Sequence, residues 1–328
     1  MHTYTTLSKN LTTFHLGDQE FTVTECTIEE LKELYTDNFF KQSWKVLGGG
    51  SNTVFVTGKE FQILKISSEA VTFKVKNERV LVECEAGKNW HDLVTETVDL
   101  GYWGLENMAL IPGTVGATPI QNIGAYGVEL KDVLESVTYF DTRDGSTKVL
   151  PRSQCRFGYR DSIFKQELKD KVIITSLILK LSTTPKPILT YKDMKVLSGD
   201  SSQMLIYNTV CKIRNSKLPD WKVDPNCGSF FQNPILYLTE KDELLKRHPK
   251  APIFEVEDHY KTSAAWLIDH SKLKGTTIQG VLVSDKQPLV LINSFAETVD
   301  NLNTAVDSIQ KTVLKKTGVR LLIEVNLI

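Results

Sequence analysis

The chain has 328 residues, 41% of them hydrophobic and 24% charged, a globular profile too long for one ordinary core and therefore expected to form two or three domains. Its 39 Lys plus Arg nearly cancel 40 Asp plus Glu, which excludes a broad field drawing nucleic acid or an anionic membrane surface and leaves anionic ligands to a local cluster. The scattered Cys26, Cys84, Cys155, Cys211 and Cys227 hold no C-x-x-C pair, no leader opens the chain, and no run approaches about 20 apolar residues, so a reduced, cytoplasmic, non-membrane protein without structural zinc is expected.

In chain order, Lys45 to Val56 reads strand, loop, strand, with G-G-G-S-N-T between the apolar runs. In a P-loop or a dinucleotide-binding fingerprint the glycine loop opens a helix, and neither G-K-S/T nor G-x-G-x-x-G is present, so this is a different kind of phosphate cradle. Val80, Val82, Cys84 and Ala86 alternate as a half-buried strand stopping at Gly87, and Trp90, Leu93, Val94 and Val98 follow at helical spacing. From Ile111 to Gly127 runs I-P-G-T-V-G-A-T-P-I-Q-N-I-G-A-Y-G, almost uncharged. Gly113, Gly116, Gly124 and Gly127 are read there as positive-φ positions that bring backbone N–H groups to a ligand such as a phosphate. An interdomain surface loop is the alternative, although such loops favour Ser, Lys and Glu.

Strands dominate Glu135 to Leu181, around Tyr139 and from Val172, separated by the polar stretch Arg156 to Lys165. Leu181 to Leu189 is proline-broken and expected to be an exposed excursion, and Lys217-Leu-Pro-Asp220 marks a second boundary. Val299, Leu302, Val306, Ile309 and Val313 share one helical face, with Lys315 and Lys316 in the last turn and Gly318 as its stop; a strand from Arg320 to Ile328 ends the chain.

Several side chains in these elements are candidates for chemistry. Ser229, between Gly228 and Phe230-Phe231, is either a hydroxyl donor in a walled pocket or a turn residue, and no G-x-S-x-G elbow surrounds it. Glu324 shares a strand face with Leu322, Asn326 and Ile328; buried it is a proton relay, exposed an ordinary surface charge, and the exposed reading is favoured on pattern alone. Arg160 either grips a carboxylate in bidentate fashion or pairs locally with Asp161, and Lys217 meets phosphate or carboxylate. The histidines His2, His15, His91, His248, His259 and His270 show no ligand spacing and are read as structural or surface residues, so no metal is expected.

Together L-G-G-G-S-N (Leu47 to Asn52), N-M-A-L-I-P-G-T-V-G-A (Asn107 to Ala117), P-I-Q-N-I-G-A-Y-G-V-E (Pro119 to Glu129), Y-R-D-S-I-F-K (Tyr159 to Lys165) and G-S-F-F-Q-N-P (Gly228 to Pro234) closely resemble the UDP-N-acetylenolpyruvoylglucosamine reductase family, in the family's order and over nearly the whole chain. Leu189-Thr-Tyr-Lys-Asp193 is similar to the extra segment of its type I branch. The resemblance implies an α+β fold in three domains: residues 1–67, completed by a terminal strand 317–328, and 68–217 forming an FAD-binding unit of the vanillyl-alcohol-oxidase type, with 218–316 binding substrate.

It further implies a flavoenzyme of peptidoglycan precursor synthesis using noncovalent FAD and NADPH, with hydride passing from flavin N5 to the enolpyruvyl ether and UDP-N-acetylmuramate as the product. Gly48, Gly49, Gly50, Ser51 and Asn52, together with Ile111, Pro112, Gly113, Thr114, Gly116, Ala117, Gln121, Asn122, Gly124, Ala125 and Tyr126, match the family's cofactor positions. Ser229 matches the proton donor, while Arg160 and protonated Glu324 match the groups that stabilise the enolate. Tyr191, Lys217, Asn233 and Gln287 face the UDP-sugar or the nicotinamide cofactor by the same resemblance. Cys227 where the family often has Ala, Asn326 where it often has Arg, and an end four residues past Glu324 are departures. The expected partners are small molecules only and the expected state a monomer; another oxidoreductase of the same superfamily, or a non-catalytic flavin binder, is the alternative.

Overall fold

The computed structural model describes residues 1–328 except 57, 59, 257 and 258. The chain forms two compact units, one of Met1–Thr5, Phe21–Gly49 and Glu60–Arg214, the other of Thr6–Glu20, Gly50–Lys59 and Asn215–Ile328.

The first strands in chain order are β1 (His2–Leu7), β2 (Glu20–Cys26), β3 (Trp44–Val46), β4 (Thr53–Val54) and β5 (Gln62–Ile66), with helix α1 (Leu31–Thr36) after β2. A sheet ordered β1-β2-β5-β3 pairs β5 in parallel with both β2 and β3, and α1 lies in the connection from β2 to β3, the two strands that flank β5. The rest of the first unit is built on β6 (Val71–Lys76), β7 (Arg79–Glu85), α2 (Trp90–Asp99), the short pair β8 (Gly124–Ala125) and β9 (Val128–Glu129), α3 (Leu130–Val133), β10 (Leu134–Asp141), β11 (Ser146–Pro151), β12 (Val172–Ser182) and α4 (Gln203–Lys217).

Strands β11-β10-β12-β7-β6 form an antiparallel sheet. Val80, Val82 and Cys84 point from β7 into a core shared with Trp90, Leu93, Val94 and Val98 of α2, as the change from period two to helical spacing implies. Asn89 starts α2 by accepting from Asp92 N–H at 3.1 Å. A smaller cluster of Leu31, Leu34, Phe39, Phe140 and Ile173 packs the parallel sheet and α1 onto the antiparallel one.

The second unit holds β13 (Asn226–Ser229), β14 (Ile235–Leu236), α5 (Leu238–Arg247), β15 (Ile253–Val256), β16 (His259–Thr262), α6 (Ala264–His270), β17 (Thr277–Ile278), β18 (Val281–Val283), β19 (Val290–Asn293), α7 (Val299–Thr317) and β20 (Asn326–Leu327). One sheet runs β13-β19-β18-β17, another β14-β16-β15, and β20 pairs in parallel with β4. Helix α7 buries Leu302, Val306, Ile309 and Val313, and Gly318 ends it at φ +78°. Among the described residues no helix is long and apolar enough to cross a membrane.

Three local expectations change. The terminal strand is only Asn326–Leu327, preceded by an isolated bridge from Ile323 to Phe231, because each stretch of it finds a different partner. Leu181 and Ser182, expected in an exposed excursion, are buried in the last turn of pairing between β12 and β7. Strand β11 went unrecognised because its S-T-K-V-L-P run sits on the sheet edge and leaves Val149 63% exposed.

Candidate active site

In the first unit the two glycine-rich segments touch backbone to backbone. A Cβ on Gly49 would stand 3.0 Å from Gly113 Cα, and one on Gly48 would stand 2.6 Å from Thr114 Oγ1. Among the described residues the N–H groups of Gly48, Gly49 and Gly113 have no hydrogen-bond partner. Clustered free backbone donors on a surface stripped of side chains fit the diphosphate of a dinucleotide cofactor such as FAD. Gly113 and Gly127 adopt the expected positive φ, but Gly116 and Gly124 do not. At these two the constraint is space: an added Cβ would meet Ala86 Cβ and Val128 O, each at 2.7 Å.

Asn122, fully buried at φ +45°, spends its side chain on the protein. Its Nδ2 donates to Glu129 Oε2 at 2.8 Å and to Gly158 O at 3.2 Å, and its Oδ1 accepts from Lys131 N–H at 3.0 Å. It thereby ties the second glycine segment to the Gly158–Asp161 turn that carries Arg160. Arg160 itself sits at φ +54°, its guanidinium over the Tyr159 ring at 5.8 Å, while both Asp161 oxygens accept from Gln166 at 3.1 Å. Tyr191 is exposed and meets Tyr126 edge to face at 5.2 Å. Burial raises the Tyr126 hydroxyl above its usual range, so it acts as a neutral donor.

Arg214 and Asn107 lie beside this cluster and were not singled out from the sequence. Arg214 occupies the position after Ile206 and Val210 on the buried stripe of α4, where a further apolar residue is due, and that cation out of place was the available signal. Its Nη2 donates to Leu110 O at 3.1 Å while its buried Nε has no partner, and desolvation lowers its pKa. Asn107 donates to Tyr126 O at 2.8 Å and Ile188 O at 2.9 Å, leaving a buried Oδ1 unpartnered.

In the second unit Ser229 closes a bulged strand. Asn226 pairs with Ile292 and Ser229 with Val290, and the register shifts between them at Gly228, φ +68°. A bulge re-aims the residue that follows it. Asn226 fastens it: Nδ2 donates to Asp224 O at 2.7 Å and Pro219 O at 3.3 Å, Oδ1 accepts from Gly228 N–H at 2.9 Å, and the main-chain carbonyl accepts from Thr13 Oγ1 at 2.6 Å. Cys227 is buried with its Sγ 3.6 Å from Thr53 O, and burial pushes the thiol up to about 12, which makes it inert packing.

The chain after Ser229 then runs beside the terminal segment, with Glu324 N–H donating to Phe230 O and Gln232 N–H to Leu322 O, both at 2.9 Å. Glu324 is only 8% exposed, which overturns its reading as a surface charge, since Glu324 and Val325 are buried in succession where alternation predicted opposite faces. Asn326 donates both its N–H and its side chain to Asn52 O, at 3.0 and 3.3 Å. Asn233 Oδ1 accepts Ala264 N–H at the start of α6, Gln287 has a buried unpartnered Oε1, and Lys217 is exposed at the end of α4.

The first unit thus gathers Gly48, Gly49, the Ile111 to Tyr126 segment, Arg160 and Tyr191; the second gathers Gly50, Ser51, Asn52, Lys217, Ser229, Asn233, Gln287 and Glu324. Among the described residues no group of three or more His, Cys, Asp or Glu is arranged to hold a metal.

Comparison with known proteins matches residues 24–150 to the FAD binding domain family and residues 219–328 to the UDP-N-acetylenolpyruvoylglucosamine reductase, C-terminal domain family. The chain is 41% identical over 302 residues to the UDP-N-acetylenolpyruvoylglucosamine reductase of Pseudoalteromonas translucida, covering 92% of this chain and 89% of that one. It is 39% identical over 310 residues to the enzyme of that name from Flavobacterium johnsoniae, covering 92% of each. The crystal structure of UDP-N-acetylenolpyruvylglucosamine reductase from Thermus caldophilus superposes with a TM-score of 0.70 at 23% identity, over 100% of this chain and 99% of that one, and shows the shared α+β fold.

Proposed function

The chain belongs to the UDP-N-acetylenolpyruvoylglucosamine reductase family, and on that premise we propose that it reduces UDP-N-acetylenolpyruvoylglucosamine to UDP-N-acetylmuramate with NADPH, a step of peptidoglycan precursor synthesis. The observation that carries this reading is a buried Glu324 whose N–H donates to the carbonyl of Phe230, the residue that follows Ser229 at the end of its bulged strand. A carboxyl withdrawn from water on the segment next to a serine suits proton delivery to a carbanionic centre.

Bound FAD supplies the hydride chemistry. The N–H groups of Gly48, Gly49 and Gly113 would hold its diphosphate, and no His or Cys in either glycine segment offers a covalent attachment. Hydride arrival at the alkene terminus leaves negative charge on the carbon beside the substrate carboxylate. Arg160 and, in its protonated form, Glu324 donate hydrogen bonds to that enolate, and Ser229 delivers the proton, its high intrinsic pKa offset by Lys217 through water. Tyr191, Lys217, Asn233 and Gln287 bind the UDP-sugar, and NADPH in turn. The unpartnered Gln287 Oε1 supports a polar ligand there.

The organisation proposed with it is residues 1–67 with 317–328, 68–217, and 218–316. The protein acts as a cytoplasmic monomer on small molecules, and its free cysteines suit a reducing compartment. Sedimentation velocity tests the monomer.

An anaerobic absorbance experiment tests the whole reading. NADPH bleaches the flavin band, and the enolpyruvyl sugar restores it. Ser229→Ala leaves bleaching near the wild-type rate and slows recovery about 10²–10⁴-fold. Equal loss in both half-reactions would make Ser229 structural, and rapid oxygen uptake with substrate alone would assign an oxidase instead.

A further inference from the structure

Helix α2 grips the entry to the second glycine segment. Trp90 Nε1 donates to Met108 O at 3.1 Å, and Trp90 N–H donates to Gly113 O at 3.0 Å. Between these points Leu110 N–H donates to His91 Nδ1 at 3.1 Å, and from α4 the Arg214 guanidinium donates to Leu110 O at 3.1 Å. Leu110, held at both its N–H and its carbonyl, stands at φ +56°. A residue with a Cβ keeps that left-handed conformation only where its surroundings over-determine it. Leu110 immediately precedes Ile111-Pro112-Gly113, so its backbone angle sets the direction in which the cofactor segment leaves.

A ring nitrogen that accepts from an amide carries no proton, so the geometry requires a neutral imidazole. His91 is half-buried, with its ring stacked on Tyr207 at 5.9 Å and 11°. The groups facing it are Asp92 on its own helix and Tyr207 and Arg214 on α4, with Cys211 next to those two. Burial lowers the imidazole from its ordinary value of 6.5, Arg214 lowers it further, and Asp92 opposes both.

We infer that His91 is a pH-sensitive positioning residue for the flavin: neutral, it clamps Leu110 so that Ile111 to Gly113 meet the FAD diphosphate, and protonated, it releases them. This rests on the FAD assignment above. The clamped state has the depressed pKa, so the clamp is intact above the ordinary imidazole value and is lost as pH falls from there through the lowered one.

The test follows FAD release from the purified holoenzyme after dilution, by the rise in free-flavin fluorescence between about pH 8 and about pH 5.5. Wild-type release is expected to quicken about tenfold at the lower pH, the scale of one lost hydrogen bond at a strained residue. His91→Gln keeps an acceptor that does not titrate, and is expected to release FAD at the wild-type pH 8 rate throughout. His91→Phe should release it about tenfold faster at both values. Wild-type retention by His91→Phe at pH 8, or a pH response surviving in His91→Gln, overturns the inference; if His91→Phe does not fold, His91→Gln still decides. A wild-type protein that purifies without flavin overturns the FAD assignment and the clamp with it.

Discussion

Asn226 is the residue on which the aim of Ser229 depends, because its amide and carbonyl all have protein partners around the bulge. Asn226→Ala keeps the main-chain bond from Thr13 but strands the Asp224 and Pro219 carbonyls and the Gly228 N–H, and should destabilise the protein by about 1–3 kcal/mol in urea unfolding. It should also slow flavin reoxidation by substrate while sparing reduction by NADPH. In the double variant with Ser229→Ala the two rate losses should not add, since one residue works through the other; additive losses would detach Asn226 from the proton donor.

Asp141 is a second residue-scale case. Its side chain is fully buried, and Arg143, at 2.8 and 2.7 Å, holds the carboxyl well below the usual range, with burial opposing and Lys148 at 2.7 Å reinforcing. A depressed carboxyl stabilises the fold above its unfolded pKa and ceases to as pH falls through the folded one. Asp141→Asn should therefore lower the urea midpoint at pH 7, and the gap from wild type should begin to narrow only as pH falls below about 4. A gap independent of pH would assign the effect to packing.

At the scale of elements, the segments with a strong period are the ones legible in the sequence. Val80 to Ala86 and Val299 to Val313 each pack one face into a continuous core, so burial and pattern coincide. The stop signal at the end of α7 was equally legible, since Gly318 at φ +78° closes the helix in a conformation that penalises a Cβ. Gly318→Ala should cost about 1 kcal/mol in thermal unfolding, increased by Arg247 Nη1 lying 3.0 Å from the added methyl. Gly49→Ala should instead spare stability and weaken flavin retention, because its Cβ drives the first glycine segment off Gly113; unchanged FAD release would remove the cradle from that pair. The terminal segment misled for the opposite reason. Its alternation suits one long strand, but Phe231 and β4 each pair only part of it, and Glu324 turns inward between them.

At the scale of the molecule, the second unit is discontinuous. Phe14, Leu16 and Val54, from far upstream, enter the core that Phe230, Phe231, Leu321 and Val325 complete, and β4 is the partner of β20. A fragment of residues 215–328 alone should lack a cooperative thermal transition by circular dichroism, exposing the apolar surface that Phe14 and Leu16 cover. A sharp transition near that of the intact protein would show that the upstream segments are dispensable.

By itself the sequence determined the α+β class, the position of each glycine segment, the helices with a clean apolar stripe, and through its ordered motifs the family and candidate residues. These depend on local spacing and residue type, which the chain carries wherever it folds. Only the tertiary structure decided that Gly116 and Gly124 serve packing rather than φ, that Glu324 is buried, that Asn226 fastens the bulge before Ser229, and that His91 and Arg214 hold Leu110 from opposite sides. Each of those depends on a partner distant along the chain, and no local pattern records which distant groups folding brings within hydrogen-bonding reach.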